Sequence, residues 1–348
     1  MIDDDQRKSH SKNPDKFLSR RLFFRQSGAA ILTTTLLSSC DGLVQDLIPA
    51  SKPAAPAEPE LPPRDKTLAF FGDSLTIGSG GTAPYGTWVG EALPGRPIVT
   101  EGIIGQYALS TSVLQGGTRL TVSVEGDKFN GINPVNVRAL SNPFMSTPSN
   151  NDDYSRQGTL AGVHCTITRT GSLEFGDKYT ITPDMESVAD IPADSEFLLD
   201  KVVELKTATQ IFWYGRNHIG KPNAEQDIFQ ALDNSIAYIT DPARFLVLGV
   251  LLSGKEAGGN PKYEEVIAIN DKLSSKYGQS YVSMGAPTAE EMAAVGYTAT
   301  DQDQIDLANN NFPVGMRSNI NEDEIHLNDL GYKIVANRVI AKIKELNY

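Results

Sequence analysis

With 348 residues, 40% hydrophobic and 21% charged, the chain has enough apolar material for one large globular body or two modest ones. The formal charge is −12, and beyond residue 40 the balance is 24 Lys/Arg against 39 Asp/Glu. A body this acidic lacks the basic face that phosphates need, which argues against a nucleic-acid partner, and the two cysteines and four histidines fall into no CxxC or HExxH spacing that would hold a metal.

Residues 1–40 read as an export signal. Ser19-Arg20-Arg21-Leu22-Phe23-Phe24-Arg25 precedes the mostly apolar or small stretch Gly28 to Leu37, which is too short to span a bilayer as a permanent helix. The Arg-Arg pair before Leu-Phe-Phe resembles a twin-arginine signal. Leu37-Ser38-Ser39-Cys40 resembles a bacterial lipobox, which implies cleavage before Cys40 and lipid attachment to its sulfur. The alternative is an ordinary secretory signal in which Cys40 is incidental. Asp41 resembles an inner-membrane retention signal, although the choice of membrane stays open. Acyl chains would supply the membrane anchor, placing the protein in the bacterial cell envelope, facing the periplasm or the exterior. Residues 41–66 carry Pro49, Pro53, Pro56, Pro59, Pro62 and Pro63 among Ala, Ser and Glu, the composition of an extended tether.

The globular pattern begins at Leu68-Ala69-Phe70-Phe71-Gly72-Asp73-Ser74. Four apolar residues run into Gly-Asp-Ser, as a buried strand does when it ends in a tight turn that lifts a hydroxyl into a cleft. Thr87 to Leu93 reads as a short amphipathic helix and Pro97-Ile98-Val99-Thr100 as a second strand. The strand leads into Glu101-Gly102-Ile103-Ile104-Gly105-Gln106. A glycine turn there either offers backbone N–H groups to an oxyanion or is a plain connection packed tightly.

From residues 116 to 195 the period changes to two, as in Arg119–Glu125, Gly162–Arg169 and Lys178–Thr182. Asn133 to Gly158, rich in Asn, Ser and Pro, reads as loop. The whole is a β-rich insertion of open role, in which His164 and Cys165 are read as structural. The α/β pattern resumes with a helix over Glu196–Lys206 and a strand over Thr209–Tyr214 that ends at Gly215-Arg216-Asn217-His218. A helix over Asp227–Ile239, an apolar strand over Phe245–Leu251 and a helix over Tyr263–Tyr277 follow. A short strand over Tyr281–Met284 and a last helix over Asp329–Leu346 complete the chain. Strands alternating with helices predict an α/β fold, a doubly wound, mostly parallel sheet with helices on both sides. Its site should lie at the carboxyl ends of the strands.

Gly72-Asp73-Ser74-Leu75, Gly105, Gly215-Arg216-Asn217 and Asp323-Glu324-Ile325-His326-Leu327 occur in that order, each of the first three after a strand. The chain thus resembles the GDSL or SGNH hydrolase family over residues 67–115 and 196–348. The resemblance implies a flavodoxin-like three-layer sandwich, with Ser74 as nucleophile, His326 as general base and later acid, and Asp323 as the residue that orients the imidazole. It also implies an oxyanion hole of the Ser74 and Gly105 backbone N–H groups and the Asn217 amide. The family's usual aspartate after the third-block asparagine is His218 here. His218 and Arg216 are therefore candidate substrate contacts, with His218 a rival base that lacks an acid at comparable spacing. Asp73 is read as shaping the turn. No cofactor is implied.

The expected activity is serine ester hydrolysis through an acyl-enzyme, on O-acetyl groups of a carbohydrate or glycan. The alternatives are a lipolytic esterase, thioesterase or lysophospholipase of the same family, or a surface glycan-binding protein with a vestigial hydrolase body. The partners expected are a small-molecule or polysaccharide ester and, through the lipid, a membrane; the oligomeric state stays open.

Overall fold

The computed structural model describes residues 65–145, 152–171, 176–318 and 323–348; the export signal, Cys40 and nearly all of the tether lie outside the described residues. Strand β1 (Leu68–Gly72) is buried along its whole length, because it is flanked by a parallel neighbour on each edge and by helices on each face. It is followed by α1 (Tyr85–Ala92), β2 (Ile98–Gly102) and α2 (Ala108–Gln115), the last of these unmarked in the sequence pattern. Strands β3 (Thr121–Val124), β4 (Lys128–Gly131), β5 (Val135–Leu140), β6 (Tyr154–Leu160), β7 (Val163–Thr170), β8 (Lys178–Pro183), β9 (Ser187–Asp190) and β10 (Ser195–Leu199) come next. The chain then runs through α3 (Asp200–Glu204), β11 (Thr209–Trp213), α4 (Ala224–Tyr238), β12 (Phe245–Leu248), α5 (Pro261–Tyr277), β13 (Tyr281–Val282), α6 (Ala289–Ala294), α7 (Asp301–Ala308) and α8 (Asp329–Glu345).

Five strands form a parallel sheet in the order β13-β12-β11-β1-β2. Alternate residues of β1 feed two separate cores. Leu68 and Phe70 pack with Tyr85 and Val89 of α1 and Ile334, Val335 and Val339 of α8. Ala69 and Phe71 pack with Ile228 and Leu232 of α4 and Val266, Ile269 and Leu273 of α5. The strand order reverses at β1: the chain first steps outward to β2 and later returns to β11 on the other side. In open α/β sheets the crevice lies at such a switch point, beyond the carboxyl ends of the strands. Ser74 follows β1 and Asn217 follows β11, on the two sides of it.

The remaining strands close into an antiparallel barrel in the order β10-β3-β5-β8-β7-β6, with β4 and β9 paired beside it. Val122, Leu160, Cys165, Ile167, Ile181 and Phe197 of the barrel form one core with Phe129 of β4, Val113 and Leu114 of α2 and Val202 of α3. Two expectations are corrected here. The Asn/Ser/Pro-rich stretch read as loop contains β5 and most of β6. In β5, Val135 and Val137 are half-buried and Asn136 and Arg138 exposed, an alternation hidden by the loop-like composition around it. The segment read as a helix from Glu196 begins as β10, where Phe197 and Leu199 are buried and Glu196 and Leu198 exposed, so period two wins until Asp200. Among the described residues no helix is long and apolar enough to cross a membrane.

Candidate active site

The turn after β1 is tied by its own aspartate. Asp73 Oδ1 accepts from Leu75 N at 3.0 Å, and the carbonyl of Asp73 accepts from Thr76 N at 3.0 Å. The carboxyl is only 2% exposed. Burial raises it to about 6, against the hydrogen bond from Leu75 and the nearby His326 and Arg216.

Ser74 Oγ lies 2.7 Å from His326 Nε2, and the other ring nitrogen, Nδ1, lies 2.5 Å from Asp323 Oδ2. Asp323 Oδ1 accepts from the backbone N–H groups of Ile325 and His326 at 2.9 and 3.0 Å. Burial opposes ionisation of Asp323, but these two bonds and the imidazole outweigh it and hold its carboxyl below the usual range. Three residues on one turn thus supply both the acid and the orientation of the ring. The position of His326 along the chain is fixed by its neighbours. Its carbonyl accepts from Ser318 N, Leu327 is fully buried, and Asn328 caps α8 by accepting from Leu330 N and Gly331 N. Gly80, at φ +90°, lets the serine loop approach this turn, since a Cβ there would meet His326 Cβ at 2.9 Å and Ser318 Cβ at 2.7 Å.

The glycine turn after β2 and the asparagine turn after β11 meet beside the serine. Asn217 Nδ2 donates to Asp73 Oδ2 at 2.9 Å and to the carbonyl of Gln106 at 3.0 Å, so it joins the chain neighbours of Ser74 and of Gly105. The backbone N–H groups of Ser74 and Gly105 have no acceptor among the described residues. Two free donors beside a serine hydroxyl suit a developing oxyanion. Both N–H groups of Asn217 are engaged within the protein, which the spacing in the sequence did not reveal.

Arg216 is corrected. Its guanidinium turns inward, donating to Leu251 O at 2.8 Å and forming a two-pronged pair with Glu256 at 2.8 and 2.7 Å, so its head group does not face a substrate. His218 is only 5% exposed, with its ring edge-on to Tyr107 at 4.9 Å and its Nδ1 buried without a hydrogen-bond partner among the described residues; burial lowers its pKa. The serine's hydrogen bond goes to His326, leaving His218 outside the relay. His164 lies on the barrel, bonded to Asp200 and Asp184, which raise its pKa in that order. Cys165 faces the barrel core. Among the described residues no cluster of His, Cys, Asp or Glu is arranged to hold a metal ion.

Sequence reasoning did not single out Gln106, Glu256 or Arg317.

No protein-family model and no curated protein matches the chain. Among solved structures, a protein described provisionally as an acylhydrolase from Bacteroides fragilis aligns at TM-score 0.40 and 12% identity, over 83% of this chain and 93% of its own. A provisional lipolytic protein of the G-D-S-L family from Desulfitobacterium hafniense aligns at TM-score 0.40 and 9% identity, over 80% and 99%. A provisional lipase from Chitinophaga pinensis aligns at TM-score 0.35 and 12% identity, over 81% and 98%. Likeness this loose carries no weight for the chemistry, which has to be read from the side chains.

Proposed function

We propose that the protein is a serine ester hydrolase of the GDSL/SGNH type, a three-layer sandwich carrying a barrel insertion, and that it works through an acyl-enzyme on Ser74. The observation that carries this reading is the continuous relay from Ser74 Oγ to His326 Nε2 at 2.7 Å and from His326 Nδ1 to Asp323 at 2.5 Å. Ser74 Oγ attacks the ester carbonyl as its proton passes to His326 Nε2, and Asp323 stabilises the imidazolium. The N–H groups of Ser74 and Gly105 receive the oxyanion, and Asn217 joins by sharing the N–H that Gln106 O accepts. His326 then protonates the leaving alkoxide. Water, deprotonated by the same nitrogen, releases the acid and restores Ser74.

The substrate we infer is an O-acetylated carbohydrate, with the protein held at the envelope by lipid on Cys40. The export-type segment, the lipobox-like Leu37-Ser38-Ser39-Cys40 and an added barrel beside the hydrolytic body support this. Labelling of the protein by a fluorophosphonate, lost in Ser74→Ala, tests the chemistry. Acetate release from acetylated glycans, assayed beside long-chain acyl esters, tests the substrate; turnover of long chains alone would replace it with the lipolytic reading. Metabolic labelling with a fatty acid, lost in Cys40→Ala, tests the anchor.

A further inference from the structure

The segment between β12 and α5 carries none of the residues placed in the relay, yet it touches the turns on both sides of it. From the asparagine side, Arg216 donates to Leu251 O and grips the buried Glu256 with both terminal nitrogens. From the histidine side, Arg317 donates to Leu252 O at 3.1 Å and to Glu324 O at 2.7 Å. Gly254 N also donates to Glu324 O, at 2.8 Å, so the residue between Asp323 and Ile325 is held twice. Glu256 closes the segment on itself by accepting from Ser253 N at 2.9 Å. Asn311 completes the frame, donating to Ser253 O at 2.7 Å and accepting from Arg317. The base of the segment is fixed to α5, where Asn270 accepts from Val250 N and donates to Val250 O.

We propose that this segment is a rigid spacer that sets the separation of the Asn217 turn from the Asp323–His326 turn, with Glu256 and Arg317 as positioning residues for the reaction. The proposal rests on reading Ser74 as the nucleophile. Its physical basis is the chain of bonds Arg216–Glu256–Ser253 and Leu252–Arg317–Glu324, in which every link is a charge-assisted or backbone hydrogen bond among mostly buried groups. Such a bond network has few low-energy alternatives, so it fixes distance where exposed loops would leave play. A misplacement of about 1 Å at a reacting group can cost about 100-fold in rate.

The decisive variant replaces the ion pair by apolar groups of similar size, Arg216→Met with Glu256→Leu, because removing both members of a buried pair often leaves stability unchanged or raised. Glu256→Gln and Arg317→Lys are the milder companions should the double variant fail to fold; the lysine cannot reproduce Arg317's fork. Each is compared with the wild type for the rate of fluorophosphonate labelling, for kcat and KM on p-nitrophenyl acetate, and for peptide-level amide exchange. A kcat and labelling rate lowered at least 10-fold, with KM within about 2-fold and exchange faster over residues 323–328, is the expected result in a folded variant. Unchanged kcat and unchanged exchange over 323–328 in folded variants would overturn the spacer. Should the wild type itself neither label nor turn over ester, the esterase reading falls. The exchange data then still decide the coupling: faster exchange over 323–328 upholds it and unchanged exchange rejects it.

Discussion

Ser74 and His326 lie 252 residues apart in the chain and 2.7 Å apart at Oγ and Nε2. The pairing is produced by β1, which delivers the serine to the switch point of the sheet, and by α8, whose capped amino end carries the histidine to the same edge. Ser74→Ala is expected to abolish fluorophosphonate labelling and ester turnover without loss of the thermal transition. Asp323→Asn keeps the volume but favours the wrong ring tautomer, so kcat is expected to fall by about 10⁴-fold with KM nearly constant. Steady-state kinetics on a small acetyl ester checks both.

Asn217 presents a different test. Its amide already bonds to Asp73 and to Gln106 O, so its contribution to an oxyanion depends on sharing rather than on a free donor. Asn217→Ala is expected to lower kcat about 10²–10³-fold, or about 2.7–4 kcal/mol, the usual cost of losing one oxyanion donor. A loss below about 5-fold would mean that the amide only ties the two turns together and that the two backbone N–H groups hold the charge alone.

The side chains of the proposed relay could be picked out as candidates in the sequence because each is local to a motif at a strand end or a helix start. Gly-Asp-Ser follows an apolar run, Asn217 follows another, and the Asp323–His326 spacing closes on a single turn. What the sequence hid is non-local. Nothing in Arg216-Asn217-His218 says that the arginine turns inward, since its partner Glu256 lies 40 residues on, in a Gly/Ser/Lys-rich loop that reads as solvent-exposed. The barrel strands β5, β6 and β10 were missed for a related reason. A small closed barrel needs only every second residue buried, and short strands with polar outward faces resemble loop or helix until their partners are known. Asp73 was legible as a turn residue but not as the anchor of Asn217, a contact spanning 144 positions.

Inside the barrel, Arg169 is 1% exposed and pairs with Asp177 through Nε at 2.9 Å and Nη2 at 2.6 Å, while Nη1 donates to Asp152 O. Asp177 retains 20% exposure, so it can recover some hydration when its partner is removed. Arg169→Met is expected to cost about 2–3 kcal/mol, below the 3–5 typical of breaking a fully buried pair. Denaturant unfolding would measure it.

Burial pushes the Cys165 thiol up to about 12, so at neutral pH it is neither thiolate nor accessible. In the native protein, iodoacetamide is expected to leave Cys165 unmodified over hours, with full alkylation after unfolding in guanidinium. Peptide mass spectrometry resolves Cys165 from Cys40. Rapid native alkylation of Cys165 would show that the barrel opens readily.

Asp73 makes stability depend on pH in a direction opposite to that of the paired acid. Its folded pKa, about 6, lies above the ordinary 3.8, so between those values the folded chain holds a proton that the unfolded chain has lost. Stability from this group therefore falls as pH rises from about 4 to about 6 and is level above that. The shift corresponds to about 3 kcal/mol at most. Asp323, held below 3.8, behaves in reverse: its contribution is complete above its unfolded value and disappears as pH falls further. Asp73→Asn removes the first effect while leaving an amide that sets N–H against N–H of Asn217 at one oxygen position. The variant should therefore be least stable, relative to the wild type, near pH 4. As pH rises to 7 the deficit should shrink by up to about 3 kcal/mol, and a deficit independent of pH would place the carboxyl's titration outside this window. Urea unfolding of both proteins at half-unit steps from pH 4 to pH 7 reads the difference directly.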